Sequence, residues 1–156
     1  MSTIFKTAHL LTYSFIFGST TYYSYVVSPK MFKVLDKDSF SLIQSNVFKQ
    51  YFALQNIASV LLPLLAYKTN LAIGKNGYYA SGICFVCSLA NLIWLQPLCQ
   101  DLKEKRKQLD LNNKEDALRD EELKKQFGKL HALSLLMNLT YSLGLLTYGI
   151  KYSLLI

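Results

Sequence analysis

Four stretches of about twenty residues hold almost no charge and are parted by polar connections, and nothing else constrains this chain so strongly. They run from about residue 4 to 27, 47 to 67, 78 to 97 and 130 to 150. A helix rises about 1.5 Å per residue, so roughly 20 residues cross a hydrocarbon core about 30 Å thick. Inside lipid a helix satisfies its own backbone donors and acceptors, which a lone extended segment cannot do. The expectation is an all-α fold: an integral membrane four-helix antiparallel bundle in a single domain, with the polar segment 98–129 forming a cytosolic helical stalk between spans three and four.

Composition agrees. Hydrophobic residue types make up 51% and charged types 17%, below the roughly one quarter of a soluble domain. A net charge of +7 and a pI near 9.3 would suggest nucleic acid if the basic residues lined a groove. No such motif is present, and the basic residues flank apolar stretches, so the bilayer is the expected partner and nucleic acid is not. Termini and second connection carry only Lys6, Lys68, Lys75 and Lys151. The other thirteen of the 17 basic residues lie in the first connection with Lys49 and in the third. The positive-inside rule places those thirteen in the cytosol and both termini in the lumen.

Within that frame each connection has an expected form. The first span, interrupted only by Lys6 and His9, reads as a retained signal-anchor because no small-residue cleavage site follows a short apolar run. Ser28 and Pro29 should end it. Residues 29–45 mix Lys30, Lys33, Asp36 and Lys37 with Met31, Phe32, Leu35 and Phe40, as in a short amphipathic helix lying along the interface. Pro63 should kink the second span, Lys68 to Gly77 should form a polar turn, and Pro97 should close the third just past Trp94. Residues 101–129 hold nine Lys/Arg and eight Asp/Glu, broken by Asn112 and Asn113, as in a helical hairpin able to take a protein partner.

Polar side chains inside lipid are costly, so each is a candidate site. By helix rise Asn138 lies roughly 10 Å inside the start of span four and Asn91 roughly 9 Å from the end of span three, with Gln55, Asn56, Thr20 and Thr21 at similar depth. The candidate is therefore a polar layer of Asn56, Asn91, His131, Ser134 and Asn138 in the cytosolic half. It reads either as interhelical hydrogen bonding that fixes register, roughly 0.6 to 2 kcal/mol per bond, or as a site for a small solute or metal.

Other constellations carry less. His9 and His131 invite a shared haem or metal, but spans one and four start on opposite faces. Cys84 and Cys87 form C-x-x-C on one helix face with no second pair, which suits close helix packing, and Cys99 past Pro97 suits reversible acylation. Every Asp and Glu lies outside the spans, and no Ser/His/Asp set, phosphate loop or zinc motif is present. The expected function is non-enzymatic, with no cofactor and no metal.

Several stretches together resemble the transmembrane protein 205-like family: His9-Leu10-Leu11 followed by Phe17-Gly18; Phe40-Ser41-Leu42-Ile43-Gln44-Ser45 leading to Phe48 and Tyr51-Phe52; Asn91 with Trp94-Leu95-Gln96-Pro97; and Leu130-His131 with Ser134 and Met137-Asn138-Leu139. Lys49 stands where that family usually has proline, and Ala132 where it has glycine. The early His9 with Phe17-Gly18 also looks like first-span patterns of copper-resistance and haem-associated membrane proteins. The resemblance implies a four-span endomembrane protein linked to vesicle traffic, with a structural or partner-binding role. The absence of an Arg-rich amphipathic leader points to the endoplasmic reticulum, with a mitochondrial membrane as the alternative. A transporter or binding protein for a small solute or metal, using the polar layer, is the alternative function.

Overall fold

The computed structural model describes residues 2–153, with side chains from residue 3 onward. Its regular structure is entirely helical among the described residues. The elements are α1 (Ser2–Tyr22), a π-helical turn (Tyr23–Val27), α2 (Ser28–Val34), α3 (Lys37–Lys68), α4 (Gly74–Ala90), a second π turn (Asn91–Leu95), α5 (Gln96–Lys107) and α6 (Lys114–Ser153). Because each π turn joins its neighbours without a break, the chain forms four rods, over residues 2–34, 37–68, 74–107 and 114–153.

The prolines explain why the rods are so long. Proline has no N–H to donate and its ring clashes with the carbonyl four residues back, which breaks an ordinary helix. Here the turn upstream is widened instead. Ser28 N–H reaches back to the Tyr23 carbonyl just before Pro29, and Gln96 N–H to the Asn91 carbonyl just before Pro97. Each inserted π turn shifts the ladder so that the helix runs on through the proline. Ser28-Pro29 therefore does not end the first rod, nor does Pro97 close the third, which continues to Lys107.

Pro63 sits inside α3, which also runs on past it to Lys68. The Ser59 carbonyl that Pro63 cannot serve accepts a hydrogen bond of 2.6 Å from the Ser81 hydroxyl on α4. A neighbouring helix thus supplies the missing donor.

The connections are shorter than the sequence suggests. The expected interface helix over 29–45 is instead divided between two rods by Asp36, whose extended backbone and carboxylate cap α3 by accepting from Asp38 N–H at 3.0 Å and Ser39 N–H at 2.9 Å. The Phe32 and Phe40 rings meet edge to face at 5.3 Å across this corner. The second turn occupies only residues 69–73; Lys75, Asn76 and Gly77 already belong to α4. Gly77 serves packing rather than turning, since a Cβ there would come within 2.9 Å of the Ile73 side chain. In the third connection α5 and α6 form the hairpin, with Arg106 Nε donating to Asp120 Oδ1 at 2.7 Å and Nη2 to Oδ2 at 3.3 Å.

The rods pack antiparallel in the order one, two, three, four, and the fourth closes back onto the first. The core holds Ile16, Ala58, Leu62, Ala66, Ala80, Cys84, Tyr141 and Leu145. Small residues bring α4 and α6 close together: a Cβ on Gly144 would lie 2.6 Å from the Cys84 sulfur. The outer surface is strongly apolar, with Leu11, Phe15, Ile57, Leu64, Ile83, Val86, Ile93, Leu135 and Leu143 exposed. Two rods, Gly74–Lys107 and Lys114–Ser153, are long and apolar enough to cross a bilayer.

Candidate functional site

Rods one, two and four meet at Asn138. On α6, residues 134, 138, 141 and 142 recur at helical spacing, and the face they form turns inward. Asn138 Nδ2 donates to Ser24 Oγ at 2.8 Å, while its Oδ1 accepts from Gln55 Nε2 at 3.0 Å and from the Tyr51 hydroxyl at 3.2 Å. Ser24 and Tyr51 are themselves 2.7 Å apart, and Gln55 Nε2 reaches Thr20 Oγ1 at 3.5 Å. Ser24 lies within the first π turn. The Tyr141 hydroxyl donates to the Gln55 backbone carbonyl at 3.0 Å, which ties α6 to α3 one turn further along.

The remaining residues of the expected layer do not join this hub. Asn91, which opens the second π turn, donates through Nδ2 to the Ser134 backbone carbonyl at 3.3 Å, so Ser134 enters through its main chain. Asn56 turns the other way and pairs α3 with α4, its Nδ2 donating to Ser88 Oγ at 3.1 Å and to the Phe85 carbonyl at 3.3 Å. His131 stands apart at the stalk end. It stacks on Phe127 with centroids 5.5 Å apart, and the Lys103 ammonium lies 5.5 Å from the centre of the same Phe127 ring.

Three buried side-chain atoms have no hydrogen-bond partner among the described residues: His9 Nδ1, Gln55 Oε1 and Asn91 Oδ1. His9 is fully enclosed. Its Nε2 lies 2.8 Å from the Tyr148 hydroxyl, and its ring packs 4.5 Å from that of Tyr152. Tyr148 follows His131 by seventeen residues of one helix, about 26 Å of rise. The two histidines are thus at opposite ends of the bundle.

The cysteines act as packing groups. Cys84 is buried, with its sulfur 3.4 Å from the Tyr141 carbonyl, and Cys87 is buried beside it on α4. Among the described residues no three His, Cys, Asp or Glu side chains come together as a metal ligand set. Charged residues gather toward the rod ends and in the third connection. At the stalk, the Arg106 guanidinium hydrogen-bonded to Asp120 holds that carboxyl below its ordinary value. At the first corner the Ser39 N–H does the same for Asp36.

Sequence reasoning singled out Asn138, Gln55 and Thr20 but not Ser24 or Tyr51, which complete the hub. Spacing held the missing signal: Ser24 follows Thr20 by four residues and Gln55 follows Tyr51 by four, so each pair shares a helix face. The assembled groups are amides and hydroxyls with no acid, base or activated nucleophile among them. Such a set can fix helix register or hold a small polar ligand.

No curated protein and no solved structure matches the chain. Residues 11–108, well over half of its length, match a family described as a domain of unknown function, DUF4149. The match takes in most of the first rod and all of the second and third, including Thr20, Ser24, Tyr51, Gln55 and Asn91. The chain belongs to the DUF4149 family.

Proposed function

We propose that this is a polytopic endomembrane protein that crosses the bilayer four times. Both termini lie in the lumen and the charged stalk in the cytosol, and the protein acts without enzymatic activity as a structural or partner-binding component of membrane traffic or organisation. One observation carries the reading: the outer surface is strongly apolar, while a set of polar side chains is buried between the rods. Large aliphatic and aromatic side chains are exposed along all four rods, while His9, Thr20, Gln55, Ser59, Ser88 and Asn91 are buried. That distribution is costly in water, where a monomer rarely exposes apolar patches beyond a few hundred Å². In lipid it is the favourable one.

Charge placement and resemblance support the same reading. Lys30, Lys33, Lys37 and the stalk's basic residues gather at one end of the bundle, opposite Lys68 and Lys75. Of the motifs resembling the transmembrane protein 205-like family, Phe40 lies at the first corner and Tyr51 and Asn138 in the hub, whereas His9 packs at the opposite end. The first two rods can be spans although they are less apolar than the others, because their polar residues are paired internally. A second reading, binding or transport of a small solute through the polar layer, draws on the Gln55 and Asn91 carbonyl oxygens that lack a donor.

The test is cysteine accessibility in sealed membranes, with Cys84, Cys87 and Cys99 replaced and single cysteines introduced at Ser2, Asn76 or Asn112. An impermeant maleimide applied from the cytosolic side should label only the Asn112 position. Labelling at Ser2 or Asn76 instead would invert the orientation. Recovery of all three variants in the soluble fraction would overturn the membrane reading itself.

A further inference from the structure

An open groove of about 550 Å³ lies on the outer face between α3 and α4. Val60, Leu64 and Tyr67 form one wall, and Tyr78, Gly82 and Phe85 the other. Gly82 faces this space: a Cβ there would meet nothing within 4 Å, so the space belongs to whatever lies outside the bundle. From Tyr78 to Phe85 the groove extends about 10 Å along the helix, a third of the hydrocarbon thickness, starting at the short second turn.

That end of the groove is cationic. Lys68 follows Leu64 by four residues and Lys75 precedes Tyr78 by three, so both lysines continue the helix faces that line the groove. Both are exposed, and neither forms an ion pair among the described residues. The first turn of α4 between them contains no acidic residue, and Ile73 at its cap offers no side-chain hydrogen bond to the backbone donors. Those N–H groups add a partial positive charge beside the two ammonium groups. Tyr67 and Tyr78 line the groove near this end. An apolar slot that ends beside two exposed lysines and an uncapped helix start is complementary to one kind of molecule, an anionic amphiphile.

We propose that the α3–α4 groove binds a single anionic glycerophospholipid, one acyl chain lying along Val60, Leu64, Gly82 and Phe85 and the phosphate held by Lys68, Lys75 and the α4 N-terminus. The site rests on the bilayer reading above and adds a selective lipid to it. It ties the second and third rods to one leaflet at the end opposite the stalk.

Native mass spectrometry of the full chain released from vesicles of phosphatidylcholine mixed with phosphatidylserine tests the proposal. Wild-type protein should retain one phosphatidylserine per chain in preference to phosphatidylcholine. Replacing both lysines (K68Q with K75Q) should reduce that preference by about twenty-five-fold, from roughly a factor of five per lysine. The K30Q/K33Q pair at the opposite end should leave it unchanged. Gly82→Phe, which fills the slot, should lower retention of any lipid; should that variant fail to fold, the exposed lysine pair still decides. Equal retention of the two lipids, equal losses in the two lysine pairs, or a lipid-free dimer would each overturn the site. A chain recovered from vesicles without detergent would overturn the bilayer reading, and the lipid site with it.

Discussion

Asn138 shows how much one side chain can hold together in this interior. Its amide satisfies Ser24, Tyr51 and Gln55 from two other rods at once, whereas Asn56 links α3 to α4 alone. Truncating a hub strands its partners, and each buried group left without a partner costs about 1–3 kcal/mol. Asn138→Leu should therefore destabilise the protein by more than about 2 kcal/mol, and Asn56→Leu by about 0.6–1.7 kcal/mol, read as thermal unfolding in detergent. Equal losses would mean that the hub is not cooperative. The same variants separate the two functional readings, since a solute site predicts lost activity with unfolding unchanged. Asn138 and Gln55 were legible in the sequence because amides are rare in apolar stretches. Ser24 and Tyr51 were not, because a serine or a tyrosine near the end of an apolar stretch carries little information until its neighbour across the helix interface is known.

At the scale of the element, three prolines have two different solutions. Pro29 and Pro97 each follow a π turn that moves the hydrogen-bond ladder past them; Pro63 leaves the Ser59 carbonyl to Ser81 on the next rod. Ser81→Ala should cost about 1 kcal/mol in the wild-type chain. In a Pro63→Ala background, where a backbone N–H is restored, most of that cost should vanish. A double-mutant cycle measured by chemical unfolding checks this, and additive losses would show that Ser81 contributes by packing alone. Helix existence was readable from the length of the apolar stretches. Helix ends were not: proline reads locally as a stop, and whether the chain stops or inserts a residue into the turn depends on the packing available on either side.

Across the whole molecule, stability depends on closing the ring of four rods. Rods two, three and four pack through long contacts, whereas the first and fourth meet at fewer points, among them His9 with Tyr148 and Tyr13 with Leu145 and Gly149. Gly149 makes that closure possible, since a Cβ there would overlap the Tyr13 ring. Gly149→Val should cost about 1–3 kcal/mol by overpacking and raise hydrogen exchange in the first rod before the others. Tyr13→Ala should relieve much of that loss. A uniform rise in exchange across all rods would mean that the first rod is not a separable unit.

From sequence alone came the all-helical class, the four apolar stretches, the gathering of basic residues at one end and the presence of amide side chains within the apolar stretches. All of these follow from helix rise, side-chain type and charge along one dimension. Tertiary structure alone decided which polar groups meet. It split the expected layer into a hub at Asn138, separate pairs at Asn91 and Asn56, and a histidine at the stalk. It also enclosed His9, divided the expected interface helix at Asp36 and opened the groove beside Gly82. Those outcomes depend on the rotation of each helix about its axis, which is set by how close small residues such as Gly144 and Gly149 let neighbouring rods approach, and a linear pattern of residue types does not encode that distance.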